Sequence, residues 1–259
     1  MKDKIILFIP MYNCEKQIIR VIDKLSKYKY IDKIEEVLFI DNISQDNTVN
    51  IVRNNKNKIL IKSTLIQNNK NYGLGGSHKV AFNYAIKNNY NYLIVLHGDD
   101  QGDINCLSEA LISKTYENYD CYLGGRFHSD SKLLGYSKFR TLGNKVFNFL
   151  FSIVVGERVY DLGSGLNMYK TSFLNEKKIN NFANNLTFNV YLLLYSIYKK
   201  QRITFFSLTW SELDQISNAK VISQGFITLG ILRDYFSDPE KLFEQDNANI
   251  KEYNYKEIK

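Results

Sequence analysis

The sequence predicts an α/β protein with a mostly parallel central sheet and helices on both faces. Three observations predict it. Apolar runs without polar alternation, such as KIILFI (residues 4–9), VLFI (37–40) and YLIVL (92–96), read as strands buried on both sides. Between them lie longer stretches with apolar residues three and four apart, the period of a helix packed on a core. The segments that follow the strands are rich in Asn, Asp and Gly, and open parallel sheets bind ligands beyond the carboxyl ends of their strands.

Taken in order, a strand over residues 4–9 leads to a helix over 14–28 with Ile18, Ile19, Ile22 and Leu25 on one face. A strand at 37–40, a short helix at 46–54 and a strand at 59–66 follow. A helix over 77–88 then leads into the strand at 92–96. The second half is less regular. It predicts a strand at 121–123 ending in Gly124-Gly125-Arg126, an amphipathic helix over 139–155 and a glycine-rich turn at 161–165. A helix over 186–199, a strand over 202–210 and an apolar helix over 226–236 complete it. Pro10 and Pro239 are the two prolines, so no Pro-rich linker divides the chain. Residues 1–236 read as a single domain and 237–259 as a charged, loosely held tail.

A chain of 259 residues can bury a substantial core, and 44% hydrophobic with 24% charged residues is ordinary for a globular protein. The net charge of +7 favours anionic partners: phosphates, nucleotides, lipid headgroups or nucleic acid. The basic residues form no run of five or six and no nucleic-acid motif, so nucleic acid is not expected as the partner. Cys14, Cys106 and Cys121 form no CxxC pair, which suits a reducing cytoplasm. The start carries no apolar leader, and the apolar stretch at 147–155 is interrupted by Asn148 and Ser152. A cytoplasmic location follows as the expectation, with any membrane contact peripheral and on the inner face.

The densest polar cluster is His97-Gly98-Asp99-Asp100-Gln101-Gly102-Asp103, directly after the strand at 92–96. Closely spaced carboxylates there suit a hard divalent cation that bridges phosphates, although a solvated acidic turn has the same composition. Its neighbours favour the first reading. Pro10-Met11-Tyr12-Asn13-Cys14-Glu15 follows the first strand, and Asp41-Asn42-Ile43-Ser44-Gln45-Asp46-Asn47-Thr48 follows the second. Asn71-Tyr72-Gly73-Leu74-Gly75 precedes a helix, and Asp161-Leu162-Gly163-Ser164-Gly165 and a segment from Leu208 to Asn218 come later. In order and spacing these resemble the large inverting glycosyltransferase family 2, of GT-A (Rossmann-like) fold, which includes dolichol-phosphate mannosyltransferases and surface-polysaccharide glycosyltransferases.

The resemblance implies a sugar transfer from a UDP- or GDP-sugar to a polyprenyl phosphate or a growing surface glycan, with Mg²⁺ or Mn²⁺ as cofactor. It implies a nucleotide pocket lined by Pro10, Tyr12, Asn13, Glu15 and Asn71, with Asp41 on the base. Gly73 and Gly75 would let the backbone pass close to the nucleotide, Lys79 would reach a phosphate, and Gly98 and Arg126 would lie at the donor. Asp99 matches the family's metal ligand. His97 stands where the family carries the first aspartate of D-x-D, as a second metal ligand or a sugar or phosphate contact. On the acceptor face the candidate catalytic residues are Asp161, ranked first as a base, Glu212 and Asp214. Trp210 offers a sugar platform or a core contact. Asn42 replaces a family aspartate, and residues 187–191 lack the glutamate common in prenyl-phosphate mannosyltransferases, so acceptor chemistry differs from theirs. A catalytically silent nucleotide-binding protein is the alternative reading. A nucleotidyltransferase is disfavoured, because Pro10-Met11-Tyr12-Asn13 stands where that class has a glycine-rich basic loop.

Overall fold

A computed structural model describes residues 3–214, 221–250 and 252–259. All seven residues of β1 (Ile5–Met11) and all six of β2 (Glu36–Asp41) are buried, the apolar run of each packed on both faces and the charged ends of β2, Glu36 and Asp41, buried with it. Their side chains alternate between two cores. Ile6, Phe8, Leu38 and Ile40 face one cluster, which includes Val80, Phe82, Phe188 and Phe243. Ile5, Leu7, Ile9, Val37 and Phe39 face the other, with Ile18, Val21, Ile22 and Leu25 of α1 (Glu15–Ser26).

The first half continues with α2 (Thr48–Asn55), β3 (Lys62–Asn68), α3 (Gly73–Lys87), β4 (Tyr92–Leu96) and α4 (Ser108–Ser113). Next come β5 (Cys121–Gly125), β6 (Lys132–Leu134), α5 (Lys138–Val155), β7 (Leu166–Lys170), α6 (Thr171–Leu174) and α7 (Phe188–Tyr198). The chain ends through β8 (Ile203–Ser207), β9 (Thr209–Ser211), α8 (Val221–Ser237), α9 (Pro239–Glu244) and β10 (Tyr255–Glu257). Eight strands form one sheet in the order β10-β3-β2-β1-β4-β7-β5-β8. β1, β2, β3 and β4 run parallel, as do β5 and β8; β7 and β10 run against their neighbours. The expected mixed sheet, mostly parallel with helices on both faces, is what the chain adopts.

Two departures bear on the site. The expected strand over 202–210 breaks at the buried Leu208: β8 stays in the main sheet, while β9 pairs with β6 in a separate ribbon. That break swings Trp210 and Glu212 over the carboxyl edge. β7 was not expected; its five residues are too short to show a period, and it is set by pairing with β4 and β5 on either side.

The segment after residue 237 is not a loose tail, which corrects the expectation. Asp238 caps α9 by accepting from the Lys241 N–H, and Pro239 occupies its first turn. Phe243 is fully buried against the rings of Tyr195, Tyr198 and Tyr235, and β10 extends the sheet by pairing with β3. The charged composition hides these few apolar anchors. Phe243→Ala is expected to cost about 3–5 kcal/mol in urea unfolding, the usual penalty for emptying a buried aromatic site; a loss under about 1 kcal/mol would return the segment to a tail.

Candidate active site

The carboxyl ends of β1, β2, β4 and β5 open on a cleft of about 690 Å³. Pro10, Tyr12 and Asn13 line it from β1, His97, Gly98 and Asp99 from β4, and Arg126 from β5. Asn71 and Gly73 line it at the start of α3, and Trp210 and Glu212 close it from β9. Ten of the residues singled out from sequence therefore share one cavity: Pro10, Tyr12, Asn13, Asn71, Gly73, His97, Gly98, Asp99, Arg126 and Glu212.

Asp99 keeps about a third of its side chain open (35%), and burial of the remainder, reinforced by the charge of Asp100, raises its pKa to about 6. Its Oδ1 accepts from the Gln101 N–H at 3.2 Å. Nδ1 of His97 lies 4.0 Å from Asp99 Oδ2. Burial, aided by the charge of Arg126, depresses the His97 pKa to about 4, so its imidazole is neutral at pH 7. Its Nε2 is buried without a hydrogen-bond partner. A desolvated carboxylate beside an unprotonated imidazole fits a divalent cation. No group of three or more His, Cys, Asp or Glu side chains is gathered for a metal among the described residues.

Asp100 has φ +62° and points away from the cleft, into an ion pair with Arg20 (2.8 Å) and Lys24 (2.6 Å) on α1. This holds the loop that presents Asp99. Arg20 also grips Asp214 through both carboxylate oxygens, at 2.8 and 3.1 Å. Asp214 is thus part of a loop anchor and does not line the cleft, a correction to its candidacy as a base. Residues 215–218, the end of the expected motif, lie outside the described residues.

Asp161 is corrected in the same way. Its Oδ2 accepts from the Arg126 N–H (3.0 Å) and Nε (2.7 Å), and its Oδ1 from Arg126 Nη2 (2.8 Å) and the Gly163 N–H (3.0 Å). Both oxygens are so engaged, the side chain is 2% exposed and does not line the cleft, and the carboxylate holds the arginine in place. The guanidinium it holds lies 5.1 Å from the centre of the Trp210 ring, whose Nε1 is buried without a partner. Glu212 does line the cleft, with Oε2 bound to Arg140 at 2.7 Å. Arg140, on the inward side of α5, was missed by the sequence reading. The signal for it was a charge on the helix face that also carries Asn144, Asn148 and Phe151.

The remaining corrections concern the nucleotide side. Asp41 is fully buried and accepts from the Ile43 and Ser44 N–H groups and Gln67 Nε2, so it caps the turn after β2. Asn42 reaches the cleft instead. Its Nδ2 donates to Asn71 Oδ1 (2.8 Å) while its Oδ1 accepts from Asn68 Nδ2 and the Tyr72 N–H. An amide can do both and a carboxylate cannot, which explains Asn at this position. Glu15 accepts from the Asn47 N–H and fastens α1 to the turn before α2, outside the cleft lining.

Gly73 has φ +74°, and a Cβ there would meet the Asn184 carbonyl at 2.3 Å. Gly75 is just as crowded by Ala183 and Phe188, and its N–H donates to the Asn184 carbonyl. Both glycines let the start of α3 approach the loop before α7, and Gly73 also lines the cleft while Gly75 does not. Lys79 is 1% exposed and donates to the carbonyls of Asn180 and Phe182, Asn184 Oδ1 and Tyr253 Oη. It faces inward from α3, does not line the cleft, and holds that same loop in place of a phosphate.

Residues 6–177 match the family model of glycosyl transferase family 2. The chain belongs to glycosyl transferase family 2. It is 25% identical over 186 residues to UDP-N-acetylglucosamine–dolichyl-phosphate N-acetylglucosaminyltransferase of Methanococcus voltae, covering 67% of this chain and 72% of that one. Glucosyl-3-phosphoglycerate synthase of Mycobacterium tuberculosis, solved with UDP, superposes with a TM-score of 0.63 at 15% identity. That match covers 92% of this chain and 82% of the synthase. S. aureus TarS 1–349 superposes with a TM-score of 0.58 at 20% identity over 80% of this chain, which spans 60% of the TarS chain. These neighbours share the GT-A fold that the resemblance implied.

Proposed function

We propose that this family 2 member transfers a sugar, with inversion, from a UDP- or GDP-sugar in the cleft to a phosphate acceptor of polyprenyl type. The observation that carries the reading is one cleft holding Asp99 after β4 together with the guanidinium groups of Arg126 and Arg140. TarS has been solved with UDP-GlcNAc, and the M. tuberculosis synthase with Mn²⁺ and UDP, which supports a nucleotide-sugar donor and a metal here.

In such a reaction the acceptor oxygen forms a bond to the anomeric carbon as the bond to the β-phosphate breaks, releasing a nucleoside diphosphate. Mg²⁺ or Mn²⁺ at Asp99, with His97 beside it, would supply Lewis-acid stabilisation of the leaving diphosphate. Pro10, Tyr12, Asn13, Asn42 and Asn71 would hold the nucleoside end. An alcohol acceptor must lose a proton, yet Asp161 and Asp214 are engaged by arginines and Glu212 is bound to Arg140. A phosphate acceptor is already anionic and needs no base, and two fixed guanidinium groups suit it. A growing surface glycan would instead call on Glu212 as the base.

Calorimetric titration of UDP and GDP, with and without Mn²⁺, tests the donor half. One nucleotide should bind tightly with metal, and Asp99→Ala should weaken it by about tenfold to a hundredfold, or roughly 1.4–2.7 kcal/mol. Binding unchanged by metal or by Asp99→Ala would favour the silent nucleotide-binding alternative, to which His97 in place of an aspartate points. Transfer to a short-chain polyprenyl phosphate but not to an oligosaccharide alcohol tests the acceptor half.

A further inference from the structure

The helix that supplies Arg140 to the cleft turns an apolar stripe to solvent. On α5, Asn148 and Phe151 are buried. On the opposite side Phe139 (82% exposed), Leu142 (63%), Val146 (48%), Phe149 (64%) and Ile153 (62%) follow one another at spacings of three and four. A stripe with this period ordinarily faces a core. Beside it packs α8, whose Gly225 faces the Phe147 ring and which carries Phe226 and Phe236 exposed at 73% and 74%.

Along the helix itself the charge has one sign, with Asp130 and Glu157 just beyond its two ends and Asp234 on α8. Residues 131–156 contain no Asp or Glu, and Lys132, Lys138 and Lys145 are exposed while Arg140 turns inward to Glu212. No helix among the described residues is long and apolar enough to cross a membrane.

We infer that α5 is a membrane-docking helix that lies in the headgroup layer of an anionic bilayer. Its phenylalanines and aliphatic side chains enter the acyl boundary, and its lysines extend to lipid phosphates. At 18 residues it offers a contact about 27 Å long. An anionic surface satisfies both features of the helix at once, covering apolar area and neutralising lysines. A second copy of this chain would satisfy only the first. Two α5 helices face to face would bring Lys138 and Lys145 against like charges, with no acid in residues 131–156 to pair with them. Because Arg140 projects from the other side of the same helix, docking sets the cleft about one helix diameter from the lipid. The docking stands without the donor chemistry; only its purpose, access to a lipid-borne phosphate acceptor, rests on the proposed function.

The test is flotation of the full chain with phosphatidylcholine vesicles, with and without phosphatidylglycerol. The wild type should float with the anionic vesicles and weaken with added salt. The triple variant Phe139→Ser/Phe149→Ser/Ile153→Ser should lose about a thousandfold in partitioning, since each of the three removed side chains carries about a tenfold share. Lys138→Glu/Lys145→Glu should lose about tenfold or more. All substituted positions are exposed, and circular dichroism with nucleotide titration checks that fold and cleft persist in the variants. Absence of wild-type flotation, or equal flotation of the triple variant, would overturn the inference. So would a wild-type dimer that the triple variant dissolves, because a second copy would then own the stripe. Vesicle binding without any nucleotide binding would count against the donor reading while leaving the docking helix in place.

Discussion

Asp161→Ala is expected to destabilise the fold by about 3–5 kcal/mol, because it strands a buried guanidinium. The Arg126 side chain is 14% exposed, and Asp161 supplies its fork with both carboxylate oxygens while also capping the turn at Gly163. Stacking on Trp210 does not replace that charge. Trp210 is the chain's single tryptophan and lies under Arg126, so urea unfolding followed by its fluorescence reads the loss directly. Asp161→Asn keeps the size of the side chain and separates two roles. A positioning residue predicts weaker acceptor binding with the pH profile of turnover retained. A general base predicts that the acid limb of that profile disappears with acceptor binding unchanged, and this second outcome would restore Asp161 to the catalytic group.

Lys79→Ala is expected to cost a similar 3–5 kcal/mol, although it changes a single residue outside the cleft lining. Its Nζ serves the Asn180 and Phe182 carbonyls and Asn184 Oδ1, and Tyr253 Oη joins the cluster. Deleting it leaves those acceptors buried, and with them the loop that lies against Gly73 and Gly75 and the segment that leads to β10. Lys79→Met retains the stem and should recover part of the loss. Burial pulls the Lys79 pKa down to about 7 against the weaker, opposing pull of Asp246, whereas an unfolded lysine titrates near 10.5. Between those values the unfolded chain holds the proton that the folded chain has released, so stability contributed by this site grows as pH rises from about 7 towards 10.5. The difference in unfolding free energy between wild type and Lys79→Met should therefore widen with pH over that window. A difference flat from pH 7 to about 9.5 would show that the ammonium keeps its ordinary pKa in the cluster, contrary to the burial argument.

The strands of the parallel core were legible because continuous apolar runs permit little else. The helix periods marked α1, α3, α5, α7 and α8, each to within a few residues. The elements that escaped, α4, β6, β7, α6, α9 and β10, are short, and β7, β10 and α9 are held by partners distant in the chain. Arg140 escaped for a related reason. It follows an exposed phenylalanine on a surface helix, and nothing in its neighbourhood of sequence announces Glu212.

The sequence by itself determined the family, the order of the strands that carry the cleft, and the place of Asp99 at the end of one of them. All three are written in local runs and spacings. Only the tertiary structure decided what each charged side chain does. Asp161 meets Arg126 across 35 positions, Arg140 meets Glu212 across 72, and Arg20 meets Asp214 across 194. A carboxylate next to a strand end has the same local pattern whether it takes a proton, caps a turn or clamps an arginine. Its role is set by the partner that folding brings within 3 Å, and that partner has no fixed distance along the chain.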